Sequence, residues 1–288
     1  MRTASFLASM WTLAALPIAV QADLPDNVET THHVLHFAGA DPHALEVRTM
    51  FGAISVEAYD GKDVDLTIRK TIRAKDAEEL AEAQRDVQLE LEDNAGTVRA
   101  IGRYVYGVTC GEDSGPHNRR WPHYEVRFDF TIRVPRDTRL TLCAVNDSVV
   151  TVKGTRADFD ISNVNGRIDL TDIAGSGEAV TANGGIKASF VSAPRGNSLF
   201  RTINGDLVLT VPGAFAADLD MKTFNGGLFT DFEAAPRAIK ASLPERKDGK
   251  LVYQTNPFAA VRIGNGGPLL TLDTFNGDVR VLRRARPE

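Results

Sequence analysis

Ser198-Leu199-Phe200-Arg201-Thr202-Ile203-Asn204-Gly205-Asp206-Leu207-Val208-Leu209 is the stretch on which the reading of this chain turns. An alternating apolar run enters an Asn-Gly turn, and a second alternating run leaves it. The unit returns at Asn165-Gly166, Asn183-Gly184, Asn225-Gly226 and Asn276-Gly277, with Asn146-Asp147 as an imperfect first copy. Successive intervals are 19, 18, 21 and 21 residues, and the last, from Asn225 to Asn276, is 51.

Aligned on the Asn, the copies share a pattern. Four residues before it stand Leu142, Ile161, Ala179, Phe200, Met221 and Leu272, and one before it Val145, Val164, Ala182, Ile203, Phe224 and Phe275. Three after it stand Val149, Ile168, Ile186, Leu207, Leu228 and Val279, while the residue two before is small or polar. The step of three from minus four to minus one departs from alternation and predicts a bend there. A two-residue hairpin would put minus one and plus two on the same face. Plus two is Ser148, Arg167, Gly185, Asp206, Gly227 or Asp278, so the unit predicts a corner and not a hairpin. Asn and Gly suit corners because both tolerate positive φ.

The fold class expected is all-β: a β-solenoid, single-stranded β-helix-like, of Asn-Gly rungs about 20 residues long. Rungs stacked about 4.8 Å apart would align the amides as a hydrogen-bonded ladder. Its candidate members are Asn146, Asn165, Gly166, Asn183, Gly184, Asn204, Gly205, Asn225, Gly226, Asn276 and Gly277.

The chain opens with Arg2, an uncharged apolar run from Phe6 to Val20, and small residues at Val20-Gln21-Ala22. That is the form of a secretory signal peptide cleaved after Ala22. The run is shorter than the ~20 residues a spanning helix needs, and Pro17 interrupts it. An exported product is expected: periplasmic, surface-bound or secreted. The chain has 33 basic and 38 acidic residues, and loss of Arg2 leaves 32 against 38. A net negative charge argues against a general nucleic-acid binder. The one dense basic run is Arg280, Arg283, Arg284 and Arg286.

The expected organisation is a signal peptide at 1–22, a β-rich capping section at 23–136, the repeat solenoid at 137–283 and a basic tail at 284–288. In the capping section, 45–48, 54–58, 64–68, 87–91, 98–101 and 124–134 alternate as strands, with turns at Phe51-Gly52 and Asp60-Gly61. Asp76 as N-cap and Glu79 three residues on predict a short helix over about 76–86.

These features resemble the bacterial adhesin family of β-strand-repeat envelope proteins, whose members are largely of unknown function. The resemblance rests on Val134-Pro135, on Thr202-Ile203-Asn204-Gly205-Asp206, and on Gly264-Asn265-Gly266-Gly267-Pro268 followed by Thr274-Phe275-Asn276-Gly277-Asp278-Val279. It implies a β-solenoid-like fold and an envelope or surface location. The long insertion around 231–268 departs from the family's regular repeat.

Residues with chemical potential have simpler explanations. Cys110 and Cys143 are the only cysteines of a chain read as exported, which favours a disulfide between them. Gly111-Glu112-Asp113-Ser114-Gly115-Pro116 echoes a serine-protease nucleophile loop, yet carries an inserted Glu and better fits an exposed turn. His32, His33 and His36, and His117 and His123, form two patches without the spacing of a metal signature. Gly264 to Gly267 lacks the Lys-Ser/Thr of a phosphate-cradling loop.

The expected function is therefore a non-enzymatic binding or structural scaffold of adhesin type, without cofactor or metal. Its partner would be an envelope or host-surface glycan or a protein. The alternative is a polysaccharide lyase or hydrolase, which needs clustered outward carboxylates. Asp160, Glu178, Arg201, Asp220, Lys222 and Asp273 instead scatter in sign from copy to copy.

Overall fold

The computed structural model describes residues 26–37, 42–94, 96–106, 121–238, 245–247, 250–252 and 258–285. The signal segment, the Gly111–Pro116 loop and Cys110 lie outside the described residues. The first strands are β1 (Asn27–His36), β2 (Ala44–Phe51), β3 (Ile54–Tyr59) and β4 (Asp63–Arg73). Helix α1 (Ala77–Asp86) leads into β5 (Val87–Asn94), β6 (Thr97–Tyr104) and β7 (Glu125–Pro135). Corner pairs follow: β8 (Arg139–Asn146) with β9 (Val150–Lys153), β10 (Phe159–Asn165) with β11 (Ile168–Ile173), and β12 (Gly177–Asn183) with β13 (Ile186–Phe190). Next come β14 (Ser198–Asn204) with β15 (Leu207–Val211), and β16 (Ala217–Lys222) with β17 (Leu228–Thr230). The insertion holds β18 (Ala234–Pro236), the ribbon β19 (Glu245–Lys247) and β20 (Lys250–Val252), and β21 (Ala259–Ile263). The pair β22 (Leu269–Asn276) and β23 (Val279–Arg283) ends the series.

The fold is all-β with one helix, and two large mixed sheets hold all but the β19–β20 ribbon. One has ten strands, ordered β1-β4-β7-β3-β9-β11-β13-β15-β23-β17. The other has eleven, ordered β18-β21-β16-β22-β14-β12-β10-β8-β2-β6-β5. In every corner pair the strand before the Asn lies in the eleven-stranded sheet and the strand after it in the ten-stranded sheet. The Asn-Gly turn is thus a corner between sheets. It also explains why the middle of each sheet is parallel. Parallel neighbours need a connection of a dozen or more residues, and here the strand in the opposite sheet forms part of it.

Register brings like residues together. Ile161 lies beside Leu142 and Ala179, and Phe200 beside Ala179 and Leu272. Across the core, Ile186 lies beside Ile168 and Leu207, and Leu207 beside Val279. A single buried cluster runs from Leu45 to Val281.

Two features of the stack were not expected from sequence. Strands β2 and β3 pair in parallel with β8 and β9, and Phe51 falls opposite Asn146, so Phe51-Gly52 stands in the corner column. In addition, β22 and β23 sit between the β14–β15 and β16–β17 pairs, out of chain order. The ends change direction: β4 and β1 add antiparallel onto β7, β5 onto β6, and β21 and β18 onto β16. Helix α1 begins where expected, with Asp76 accepting from the Glu79 backbone N–H at 2.9 Å.

The expected bend before the Asn is corrected. Alternation continues unbroken through minus two, where Ala144, Asn163, Thr181, Thr202 and Thr274 are buried. The minus-one residues Val164, Ile203, Phe275 and Phe224 face solvent, whereas Val145 of the first copy is buried directly after Ala144, so the bend holds there alone. A bend would put the apolar residue inside and the polar one outside, the reverse of what a continuous pleat demands. The first copy also differs, because Val150, not Val149, pairs with Ile168. One extra corner residue, with Asp147 at φ 46°, accounts for that shift.

An aromatic cluster closes the early end of the core. Tyr104 meets Tyr106 and Phe128 edge-on, and Tyr106 meets Tyr124 edge-on. Burial pushes the Tyr104 phenol up to about 12 and raises those of Tyr106 and Tyr124 as well. The neutral phenol is the form the fold favours. Its stabilisation is complete below the ordinary value of 10 and is lost as pH rises through about 12. Tyrosinate absorbance should therefore show a late-titrating fraction that shifts to the ordinary range in urea. A single transition at the ordinary value in folded protein would contradict the buried cluster.

Corner glycines permit the stack. A Cβ at Gly277, where φ is +146°, would lie 2.1 Å from the Gly205 carbonyl oxygen. Gly277→Ala should cost about 1–3 kcal/mol. Gly213→Ala, whose nearest new contacts are Arg283 side-chain carbons at 3.8 Å, should leave the urea midpoint nearly unchanged.

Candidate binding surface along the corners

The corner Asn side chains form one continuous chain of amides. Asn165 Nδ2 donates to Asn146 Oδ1, Asn183 to Asn165 and Asn204 to Asn183, each at 2.8 Å. Asn276 donates to Asn204 and Asn225 to Asn276, each at 2.7 Å. The spatial order is 146, 165, 183, 204, 276, 225, following the strand order rather than the chain. A primary amide has two N–H donors and two acceptor lone pairs. Each interior Asn spends one of each on its neighbours, so the column retains a spare donor and a spare acceptor at every step.

Beneath the amides runs a hydroxyl column, buried at Thr181, Thr202 and Thr274 and half-buried at Thr223. Thr181 Oγ1 donates to the Gly166 carbonyl at 2.9 Å, Thr202 to Gly184 at 2.8 Å, Thr274 to Gly205 at 2.9 Å and Thr223 to Gly277 at 2.8 Å. Asn163 takes this role in the second copy, with Nδ2 3.2 Å from the Ser148 carbonyl and Oδ1 accepting from Ser148 Oγ at 2.8 Å. Buried hydroxyls are tolerated because each has a carbonyl to satisfy. On the far side of the turn, Asp206 Oδ1 accepts from Asp278 N at 2.8 Å, and Asp278 Oδ1 from Gly227 N at 2.9 Å. The Gly227 N–H, and next Arg280, hold the Asp278 carboxyl below its ordinary range.

Beside the amides stands an apolar ridge. Val164 is 40% exposed, Ile203 52%, Phe275 49% and Phe224 70%, which places large side chains in water on four modules, with the small, half-buried Ala182 between Val164 and Ile203. Phe224 and Phe275 stack at 4.8 Å with ring planes 9° apart. The sequence displayed these residues, but their apolar character assigned them to the core. Only the unbroken pleat puts them outside.

Other expected sites are dispersed. Among the outward charges, Asp273 pairs with Arg201 at 3.4 Å and with Lys222 at 3.7 Å, and Asp220 pairs with Arg237. Asp160 and Glu178 occupy facing positions on β10 and β12. His32 and His36 bond to Asp65 and Asp63, each at 2.7 Å, while His33 alternates to the other side of β1. Among the described residues there is no group of three or more His, Cys, Asp or Glu placed to hold a metal ion. His117 lies outside the described residues, whereas His123 lies just before β7. Cys143, on β8, accepts from Ser162 Oγ at 2.8 Å; its proposed partner Cys110 is outside the described residues. Gly264 and Gly266 have positive φ in the turn between β21 and β22. The basic run is anchored, with Arg280 on Asp278, Arg284 on Asp172 and Arg283 over the Phe232 ring. Arg286 lies outside the described residues.

No family model matches the chain, and no curated protein matches it. Among solved structures, it is similar to a "putative cell adhesion protein" from Clostridium sporogenes, with 11% identity and a TM-score of 0.44. That likeness covers 90% of this chain and 100% of the other. A "putative adhesin" from Bacteroides fragilis gives 11% identity and a TM-score of 0.38, covering 90% and 97%. A "putative lipid binding protein" from Parabacteroides distasonis gives 9% and 0.26, covering 90% and 97%. Function therefore has to come from the site's own geometry. No described helix is long and apolar enough to cross a membrane.

The hydroxyl and amide columns differ in burial, which ranks their contributions. Thr202→Val leaves a buried carbonyl without its donor and should cost about 1–3 kcal/mol. Asn204→Ala should cost less, because water can replace contacts made at the surface. Urea unfolding of the two variants gives the order; the reverse ranking would show that the amide column holds the corners together.

Proposed function

We propose that this chain is an exported, non-enzymatic binding scaffold of adhesin type whose repeat modules coil as a two-sheet solenoid. Strands β2 and β3 would extend the coil, and β1, β4 and β5 would cap that end of it. The binding surface is the corner strip, and its ligand class is a neutral glycan. The observation that carries this reading is the pairing of an exposed apolar ridge with a parallel row of partly unused amides. Sugars present the same two features, apolar C–H faces and hydroxyls that both donate and accept. The Phe224–Phe275 stack supplies a face for a ring, and Asn204, Asn276 and Asn225 supply the adjoining hydrogen bonds. A disulfide between Cys110 and Cys143 belongs to the same proposal, as a covalent tie suited to an oxidising compartment.

An array of neutral glycans, including glucans, mannans, galactans and xylans, tests the strip. Wild-type protein should be retained on at least one class, and Phe224→Ser with Phe275→Ser should reduce retention at least tenfold without lowering the melting temperature. No retention on any class, or equal retention by the double variant, would remove the strip from the binding function.

The enzyme reading has one observation in its favour, the facing carboxylates Asp160 and Glu178. A carboxylate pair at suitable separation can hydrolyse glycosides. Incubation of the protein with the retained glycan is expected to release no reducing ends. Release that disappears in Asp160→Asn would replace the scaffold with a hydrolase.

A further inference from the structure

The edge opposite the Asn column is where the chain passes from a ten-stranded-sheet strand to the next module. Three confluent clefts lie along it, of about 610, 670 and 420 Å³. Arg156 borders all three. Most charges here are matched within the protein. Arg136 binds Asp60 at 2.7 Å, Lys153 binds Glu57 at 2.9 Å and Arg284 binds Asp172 at 2.7 Å. Arg139, Arg156 and Arg195, which together line the first cleft, are exposed and enter no ion pair among the described residues. Three guanidiniums that make no ion-pair contact converge on one trough beside Asp137 and Asp158, in a chain whose formal net charge is −5.

Their placement follows the module spacing. Arg139 opens β8, Arg156 precedes β10 and Arg195 precedes β14, and β8, β10, β12 and β14 are consecutive neighbours in the sheet. At about 4.8 Å per strand, the first two arginines are attached one step apart and the last two steps further on. Such a line suits an extended chain better than a small anion. At the adjoining end, Phe37 and His43 line the second cleft and stack face to face at 4.2 Å with planes 7° apart.

We propose that this trough binds a linear acidic polysaccharide, with uronate carboxylates on Arg139, Arg156 and Arg195 and a sugar ring against the Phe37–His43 stack. Guanidinium and carboxylate pair well because the planar fork of donors matches both acceptor oxygens. The charges must be spaced at least one sugar ring apart along the polymer. Asp137 and Asp158 also line the trough, and they would repel a chain whose anions are packed as closely as those of a polyphosphate. A polysaccharide interposes hydroxyls, which those carboxylates can accept from. The site is on the opposite edge from the corner strip and stands or falls independently of it.

Affinity electrophoresis of the full chain through gels containing polygalacturonate, neutral galactan or inorganic polyphosphate tests the proposal. Polygalacturonate should retard the protein, less so as salt is raised, and galactan should not do so through this trough. Arg156→Gln should weaken polygalacturonate binding at least tenfold, and the triple Gln variant at positions 139, 156 and 195 should abolish it. Arg167→Gln, at the opposite edge and paired with Asp169, should have no effect. These residues are exposed, so circular dichroism and melting should match wild type. Unchanged polygalacturonate binding in the folded triple variant would overturn the site, and so would tighter binding of polyphosphate than of polygalacturonate.

Discussion

The structure depends on how closely successive corners approach one another. Gly166 N donates to the Asn183 carbonyl at 2.8 Å, Gly184 N to Asn204 at 2.9 Å, Gly205 N to Asn276 at 2.8 Å and Gly277 N to Asn225 at 3.0 Å. The backbone ladder therefore continues around the turn and is not interrupted there. Only a residue without Cβ fits, since at Gly184 and Gly205 that atom would fall 2.3 Å from the neighbouring carbonyl oxygen. Strand register, the threonine contacts and the amide chain all follow from that contact. Once the corners are locked, inner-face residues are forced into columns across each sheet.

The ends meet a different requirement. A parallel stack terminates in rows of unpaired backbone groups, which attract other strands. Antiparallel β1, β4 and β5 cover the early end, and β18 and β21 cover the eleven-stranded sheet at the late end. Strand β1 alternates exposed and half-buried residues and carries His32 and His36 on carboxylates of β4. It is a poor template for further growth. The mixed direction of the sheets thus has a physical reason: parallel pairing propagates the repeat, and antiparallel pairing ends it at every described edge but that of β17, a three-residue strand parallel to β23.

The all-β class, the helix after Asp76 and the corners were legible because local chemistry specifies each. Alternation gave the strands, the Asp76–Glu79 spacing gave the helix start, and Asn-Gly gave the turns. What sequence did not yield depended on partners distant in the chain. Thr202 looks like a surface residue until the Gly184 carbonyl beneath it is known. Phe275 looks like core until the pleat is followed through Thr274. Phe51-Gly52 carries no Asn, so its place in the corner column emerged only from the β2–β8 register. The basic trough was invisible for the same reason, since Arg139, Arg156 and Arg195 are separated by 17 and 39 residues and share no motif.

The position of β22 and β23 has a consequence for how the molecule is assembled. Strand β16 has β22 as its parallel neighbour and β17 pairs with β23, so this module shares no strand pairing with β14 or β15 and reaches them through the final segment. A chain emerging from its amino end can zip the earlier modules one upon another. Residues 217–230 gain their parallel strand partners only when β22 and β23 fill the slot between the two modules. Strands β22 and β23 therefore act as a keystone, and the repeat array is complete only when residues 269–283 are in place.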